Sequence, residues 1–142
     1  MANLPEGSGT VLSYSGADPA AGVDATITCP PATRWLILAA SITIVTDATV
    51  ADRYLRLLAF NGGLTVVYAI ATLAIPANTT RSNVWFPTAQ QFTAAIGGIT
   101  NAPLPPRLLL AAGDALTVSP TAMQIGDNLT ALTISVEEWI EP

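Results

Sequence analysis

The chain has 142 residues, a length typical of one domain, and a domain of this size buries roughly 68–70% of its unfolded surface. Apolar residues make up 51% of the sequence and charged residues 11%, and the net charge is −5. Five arginines, no lysine and ten carboxylates argue against a surface for nucleic acid or anionic membrane, because both need clustered cations. Such sparse charge favours association between subunits, although drift in a GC-rich genome would leave the same composition.

The first part of the chain, residues 1–20, is rich in Gly, Ser, Pro and Ala and is predicted to be an extended arm. It holds one short strand candidate, Thr10–Tyr14, and neither a basic segment nor an apolar run, so we expect no secretory signal. Residues 21–142 are predicted to form the domain. Its first strand is Val23–Thr28, which Pro30 and Pro31 bring to an end because proline donates no ladder hydrogen bond.

The strongest strand candidate is Trp35–Thr46, whose second half is rich in β-branched residues. Alternation predicts that Ser41 and Thr43 lie on its polar face. The residues expected on the opposite, core face are Leu36, Leu38, Ala40, Ile42 and Ile44.

The most apolar part of the sequence lies between Arg56 and Arg81, which are separated by 24 uncharged residues. That length would fit a membrane helix of about 20 residues. However, Asn61-Gly62-Gly63 interrupts it with a hairpin-turn signal, and the 12 residues of Leu64–Ile75 that remain are too short to span. We therefore predict a hairpin, with the residues of its first strand that face the core being Leu55, Leu57 and Ala59.

The remainder of the chain predicts short strands separated by Gly and Pro. Residues 88–102 fit either a helical turn or a strand broken at Gly97-Gly98. The other strand candidates are Val84–Pro87, Arg107–Ala111, Ala115–Ser119 and Leu129–Ile140, the last with Leu132, Ile134 and Val136 inward. About eight strands with regular turn signals predict an all-β protein, a jelly-roll-like antiparallel β-sandwich with an extended N-terminal arm.

The sequence offers little for catalysis, because it has no histidine and a single cysteine. Nucleophile pairs that use histidine and the common zinc sites are therefore absent. Glu137 and Glu138 are neighbours in a predicted strand and point to opposite faces, so they do not form a glycosidase pair. Four aspartates lie in predicted turns, where bonds to backbone amides are the ordinary role and Ca²⁺ binding is the weaker alternative: Asp47, Asp52, Asp114 and Asp127. We expect no enzyme, no cofactor, no metal and no small-molecule substrate.

The single cysteine and the three tryptophans are predicted to have structural roles. Cys29 has no basic neighbour that would lower its pKa, so we expect a buried structural thiol and not a nucleophile. The tryptophans Trp35, Trp85 and Trp139 would suit a platform that stacks on sugar rings, but a strand-end tryptophan more often packs on a sandwich edge or in a subunit interface.

Four motifs in a fixed order carry a resemblance that extends over about residues 20–142. They are Arg34-Trp35 at the start of a long strand, Asp52-Arg53 after a loop, the segment Leu104–Leu116 with its Gly-Asp turn, and Val136–Trp139 near the end. In this order they resemble small jelly-roll structural proteins of tailed bacteriophages, of the head decoration or cement type.

The resemblance implies a non-enzymatic virion protein, made in the host cytoplasm, that binds the outer capsid surface and stabilises contacts between capsomers. Its expected partners are the major capsid protein and further copies of itself, with a trimer favoured. The alternative is a carbohydrate- or receptor-binding sandwich of a head fibre, neck or tail. The N-terminal arm would order on a neighbouring sheet edge, or else be a frayed terminus. The predicted interface residues are Leu4, Val11, Tyr14, Trp35, Arg53, Arg56, Trp85, Arg107 and Trp139.

Overall fold

The computed structural model describes residues 7–61, 64–71, 73–90 and 94–141, and only the backbone of residues 61 and 65–70. Within these ranges the chain forms strands and no helix. The strands, in chain order, are β1 (Thr10–Ser15), β2 (Ala25–Thr28), β3 (Thr33–Val45), β4 (Arg56–Asn61), β5 (Leu64–Ile70), β6 (Thr80–Pro87), β7 (Ile99–Leu104), β8 (Leu109–Ala111), β9 (Ala115–Val118), β10 (Asn128–Leu129) and β11 (Thr133–Ile140).

The strands form two sheets that pack as a β-sandwich. The larger sheet has the order β1-β11-β3-β6-β7, with β8 and β10 pairing alongside the long strand β3. The smaller sheet has the order β2-β9-β4-β5. Every pair in these sheets is antiparallel except β6 with β7, which run parallel. The all-β prediction is therefore confirmed at the level of a sandwich.

The core lies between the sheets and is built from alternating strand residues. The predicted core faces of two strands are confirmed: Leu55, Leu57 and Ala59 beside β4, and Leu132, Ile134 and Val136 near the C-terminus, are all buried. A further group of fully buried side chains comes from both sheets and their connections, and it includes Ile37, Ile44, Ile75, Leu110, Leu116 and Leu129. Burial of this many large apolar side chains, each worth about 1.5–3 kcal/mol, is the main stabilising term.

Strand β3 departs from the predicted alternation in its first half. Ala40, Ile42 and Ile44 are buried as expected, but the buried residues before them are Trp35 and Ile37. The register explains the change of phase, since Ala39 pairs with Ser135 and Ile37 pairs with Val136 on β11. Leu38 is therefore one extra residue, a β-bulge that turns the preceding side chains to the other face. The prediction that Leu36 and Leu38 face the core is wrong for this reason.

The apolar stretch after Arg56 is a strand pair, as predicted. Strands β4 and β5 run antiparallel, and Asn61 pairs with Leu64. Gly62 and Gly63, the residues of the predicted turn, lie outside the described residues. In the described ranges no helix is long and apolar enough to cross a membrane.

The predictions for the second half of the chain needed two adjustments. Strand β6 begins at Thr80, earlier than predicted, because Thr80 already pairs with Val45 of β3. The predicted final strand is split into β10 and β11, which pair with different parts of β3. In the predicted segment 88–102, Gly97 and Gly98 have positive φ angles of 59° and 75° and form the turn just before β7, while residues 91–93 lie outside the described residues.

Candidate interaction surface

The structure separates the nine predicted interface residues by their accessibility. Val11 and Arg107 are exposed, whereas Tyr14, Arg56 and Trp139 are partly buried. The side chains of the remaining described members, Trp35, Arg53 and Trp85, are at most 1% exposed. Leu4 lies outside the described residues.

Arg53 was expected at the edge of an interface, and its burial corrects that expectation. Its guanidinium donates Nε and Nη2 to the two carboxylate oxygens of Asp127, both at 2.9 Å, and Nη2 also to Asp47 Oδ1 at 2.8 Å. Nη1 donates to the carbonyls of Thr49 and Ala51 at 2.9 and 2.7 Å. All five N–H donors of the side chain are therefore used inside the chain, and none is left for a partner.

Asp127 is the fully buried acceptor of this cluster. Besides Arg53, its carboxylate accepts the backbone amides of Asp47 at 2.9 Å and Gln124 at 2.8 Å. Burial alone would raise the pKa of Asp127, but the bonds from Arg53 and the two amides outweigh burial and lower that pKa. Gly126 lies so close that a Cβ atom there would be 2.7 Å from Asp47 Oδ2. The arrangement ties the β3–β4 connection to the β9–β10 connection and has a structural role.

Trp85 lies on the inner face of β6, in the row that also contains Asn83. Both side chains are fully buried. Since Trp35 is buried as well, the three tryptophans do not form a shared exposed platform for sugar rings. Only Trp139 retains accessible surface among them.

Tyr14, Trp35 and Glu138 form a cluster that attaches β1 to the rest of the large sheet. The hydroxyl of Tyr14 and the indole Nε1 of Trp35 both donate to Oε2 of Glu138, each at 2.7 Å. The two rings are stacked with centroids 4.9 Å apart. The bond to Glu138 raises the pKa of Tyr14, and burial acts in the same direction. Tyr14 is therefore engaged on its core side, and its role there is to hold β1 in place.

The start of β1 is held by a second set of contacts. Oε1 of Glu137 accepts the backbone amide of Gly9 at 2.8 Å, and Trp139 Nε1 donates to the carbonyl of Gly7 at 3.2 Å. A Cβ atom at Gly9 would lie 2.7 Å from Cγ of Glu137, so the close approach requires glycine. Within the predicted arm, Thr10–Ser15 is thus a strand of the chain's own sheet.

The two other arginines of the predicted interface differ in their availability. Arg56 donates Nε to the carbonyl of Ser119 at 2.9 Å and Nη2 to its hydroxyl at 3.1 Å, which holds it against β9. Arg107 lies between β7 and β8, and its side chain is exposed. Arg107 and Val11 remain the accessible members of the predicted set.

Cys29 is 1% exposed, as predicted for a structural thiol. Its Sγ lies 3.3 Å from the hydroxyl of Thr33. Burial raises the pKa of the thiol, which keeps it protonated and unreactive at neutral pH. Across the described residues, no group of three or more His, Cys, Asp or Glu side chains is placed to hold a metal ion.

Sequence reasoning missed the exposed residues that surround β1. Leu12 is 37% exposed and Ile140 is 81% exposed, and neither belongs to the predicted set. Ser13 lies on the outer face with Ser135 and Ser41, in a shallow depression lined by small uncharged side chains. A strand at a sheet edge has the same local pattern as a strand at the centre, so no local signal marks these residues as accessible.

The chain was compared with known proteins in three ways. No protein-family model matches it, and no similar protein was found among curated proteins or solved structures. A function for the chain is therefore inferred from the geometry above and from the motifs of the sequence.

Proposed function

We propose that this chain is a non-enzymatic virion structural protein, a decoration or cement protein that binds the outer surface of a phage head and stabilises contacts between capsomers. In this role it associates with itself and with the major capsid protein, after synthesis in the host cytoplasm. The observation that carries the proposal is the order in which its strands pair.

Four antiparallel pairs are nested within one another along the chain. They are β1 with β11, β2 with β9, β3 with β6, and β4 with β5. Successive pairs alternate between the larger and the smaller sheet. A double ribbon folded in this way has the eight strands and connectivity of a jelly roll, an architecture common in viral capsid proteins. The pairing thus supports the jelly-roll part of the proposal, with β7, β8 and β10 as additional strands.

The motifs that resemble phage proteins lie at positions that stabilise this architecture. Trp35 of the first motif and Glu138 of the last share a hydrogen bond of 2.7 Å across β3 and β11. Arg53 of the second motif is the centre of the buried cluster with Asp127. The motifs therefore support a fold shared with the phage proteins that they resemble. Contacts with a capsid would depend on exposed residues such as Arg107 and Val11.

The decisive experiment is analysis of purified virions of the phage that encodes this chain. Quantitative mass spectrometry is expected to find the protein in a fixed copy number relative to the major capsid protein. Purified protein added to capsids that lack it is expected to bind them and raise their resistance to heat, while free capsid subunits do not bind. Absence of the protein from virions would contradict the proposal.

A deletion that tests the N-terminal arm must leave strand β1 in place. Removing residues 2–18 would also remove β1 and expose Trp35 and Glu138, so the fold would change together with any capsid contact. Removing residues 2–6 leaves β1 intact. A loss of capsid binding by this shorter deletion, at unchanged stability, would assign the contact to the arm.

A further inference from the structure

The two strand orders end in four strands, β1, β7, β2 and β5, which differ in how far their open edges are protected. Strands β5 and β7 lie against each other along one side of the sandwich. Strand β2 has only four residues and is followed closely by Pro30 and Pro31. Strand β1 has six residues without charge or proline, and it runs in unbroken register along β11. Natural edge strands are usually shielded by charges, prolines, bulges or short length, and β1 lacks all of these.

The outward-facing backbone groups of β1 follow from its ladder. The amide of Gly16, which continues the strand, donates to the carbonyl of Leu132 at 2.8 Å. Since successive residues of a strand direct their N–H and C=O groups to opposite sides, Val11, Ser13 and Ser15 direct theirs away from β11. All three residues are exposed, and Val11 is 65% exposed. These backbone groups are therefore accessible to another strand.

We propose that β1 pairs antiparallel with β1 of a second copy of the chain, about a two-fold axis at Ser13. This inference rests on the self-association proposed above and names the edge that carries it. Ser13 is the middle one of the three outward-facing residues, so the set is self-complementary about that point. Val11 then pairs with the partner's Ser15, and the contact forms about six backbone hydrogen bonds in three pairs.

Side chains favour the same symmetric arrangement. Leu12 and Tyr14 pair with the buried residues Val136 and Ile134, so both lie on the core face of the large sheet. A two-fold axis perpendicular to the sheet preserves its faces, and Leu12 therefore lies opposite the partner's Tyr14. Pairs of aromatic and aliphatic residues across strands are stabilising, and β1 brings no two like charges opposite each other. The contact covers Leu12, which is 37% exposed in the single chain.

Such a contact uses the same surface on both copies, so it gives a closed dimer to which no third copy can be added through β1. It differs from the trimer that the resemblance favours, so the mass of the protein in solution separates the two. Sedimentation equilibrium across a range of micromolar concentrations is expected to give twice the chain mass of 14.7 kDa. A mass of one or three chains would overturn the proposed contact.

The variant Ser13→Lys tests the edge itself. It places two ammonium groups opposite each other on the axis, while the side chain points to solvent in the single chain. We expect it to sediment as one chain with an unchanged circular dichroism spectrum. The matched control is Thr133→Lys, which adds the same charge to the same outer face on β11, where it is exposed but is not at the edge. Dimers that persist in Ser13→Lys would refute the contact.

A second variant keeps the test independent of any folding defect in the first. Ser13→Cys places two thiols across the axis at about 5.5 Å between Cα atoms, within the range that a disulfide accepts. Mild oxidation is expected to give a covalent dimer, whereas Thr133→Cys stays uncross-linked and the buried Cys29 does not compete. Failure of Ser13→Cys to cross-link would overturn the proposal.

The outcomes also distinguish this inference from the virion function. A dimer linked through Ser13 that is absent from virions would refute the function and leave the contact standing. A protein present in virions as a trimer, with no cross-link at Ser13→Cys, would refute the contact and leave the function standing.

Discussion

The cluster around Arg53 and the edge strand β1 differ in whether their polar groups are hydrogen-bonded within the chain. Arg53 has every donor satisfied by its own chain, and its partner Asp127 is fully buried. Strand β1 has hydrogen bonds to β11 on one side, and on its other side no strand of the described residues pairs with it.

Whether its hydrogen bonds are already made inside the chain therefore shows whether a residue stabilises the fold or can contact a partner. Both regions contain residues that sequence reasoning assigned to an interface, namely Arg53 on one side and Val11 and Tyr14 on the other. A completed set of hydrogen bonds leaves nothing for a partner, whereas an unpaired edge leaves a whole row of donors and acceptors. Substitutions in the Arg53 cluster and in β1 can therefore test the two regions separately, and the largest effect is expected at Arg53.

Replacing Arg53 by methionine is expected to have the largest effect. It leaves the carboxylate of Asp127 buried without its cation, and breaking a buried pair in this way costs about 3–5 kcal/mol of unfolding free energy. Urea denaturation measures the change. The matched control, Arg107→Met, removes an exposed arginine and is expected to stay within about 0.5 kcal/mol of wild type. Equal stability of the two variants would contradict the structural role of the cluster.

Gly126→Ala tests the same cluster without removing a charge. The added Cβ would lie 2.9 Å from Cβ of Asp47 and 2.7 Å from its Oδ2, so Asp47, which accepts from Arg53, must shift. Overpacking of this kind costs about 1–3 kcal/mol. Asn128→Ala, at the exposed first residue of β10 two positions along the chain, is the control for denaturation experiments. A Gly126→Ala variant as stable as that control would show that the connection yields easily.

Acid is expected to weaken the cluster in a defined direction. The folded-state pKa of Asp127 lies below its unfolded value of about 4, so its contribution to stability is complete above that value. The contribution is lost as the pH falls through the lower, folded-state pKa. Thermal unfolding of wild type and Arg53→Met between pH 7 and pH 2 should therefore show their difference shrinking toward acid. A constant difference would mean that Asp127 is not the responsible group.

Tyr14→Phe is expected to have the smallest effect on stability, about 1.5 kcal/mol, the lower end of the range for a hydrogen bond to a charged acceptor, because Glu138 is only partly buried. The stacking on Trp35 is retained, so the change isolates the bond to Glu138. Hydrogen exchange at the amides of β1 should accelerate relative to wild type. Tyr54→Phe is the control, because Tyr54 makes no hydroxyl hydrogen bond within the described residues and is not in β1. Unchanged exchange in β1 would contradict the attachment role of Tyr14.

The stability that Tyr14 contributes at this edge is expected to be lost at alkaline pH. Its pKa is raised in the folded chain, so its contribution is complete below the ordinary tyrosine value of about 10 and is lost as the pH rises through the raised value. Ultraviolet titration of wild type should therefore show a phenol ionisation above the ordinary tyrosine range, and Tyr14→Phe should abolish that late step.

The strand content and much of the core follow from the local pattern of the sequence. Residues such as Leu55, Leu57, Ile134 and Val136 are buried as predicted, because alternation along a strand is a local property that the chain displays at every second residue. The turn signal at Asn61 likewise predicted the pairing of β4 with β5 from neighbouring residues alone.

Three features depend instead on contacts between distant segments: the change of face at Leu38, the burial of Arg53 and the edge position of β1. The bulge depends on the register with β11, and the partner of Arg53 is 74 residues away in the sequence. An arginine beside an aspartate-rich turn has the same sequence whether its partner is water or a buried carboxylate. Burial and edges are properties of how distant segments come together, so the local pattern contains no record of them.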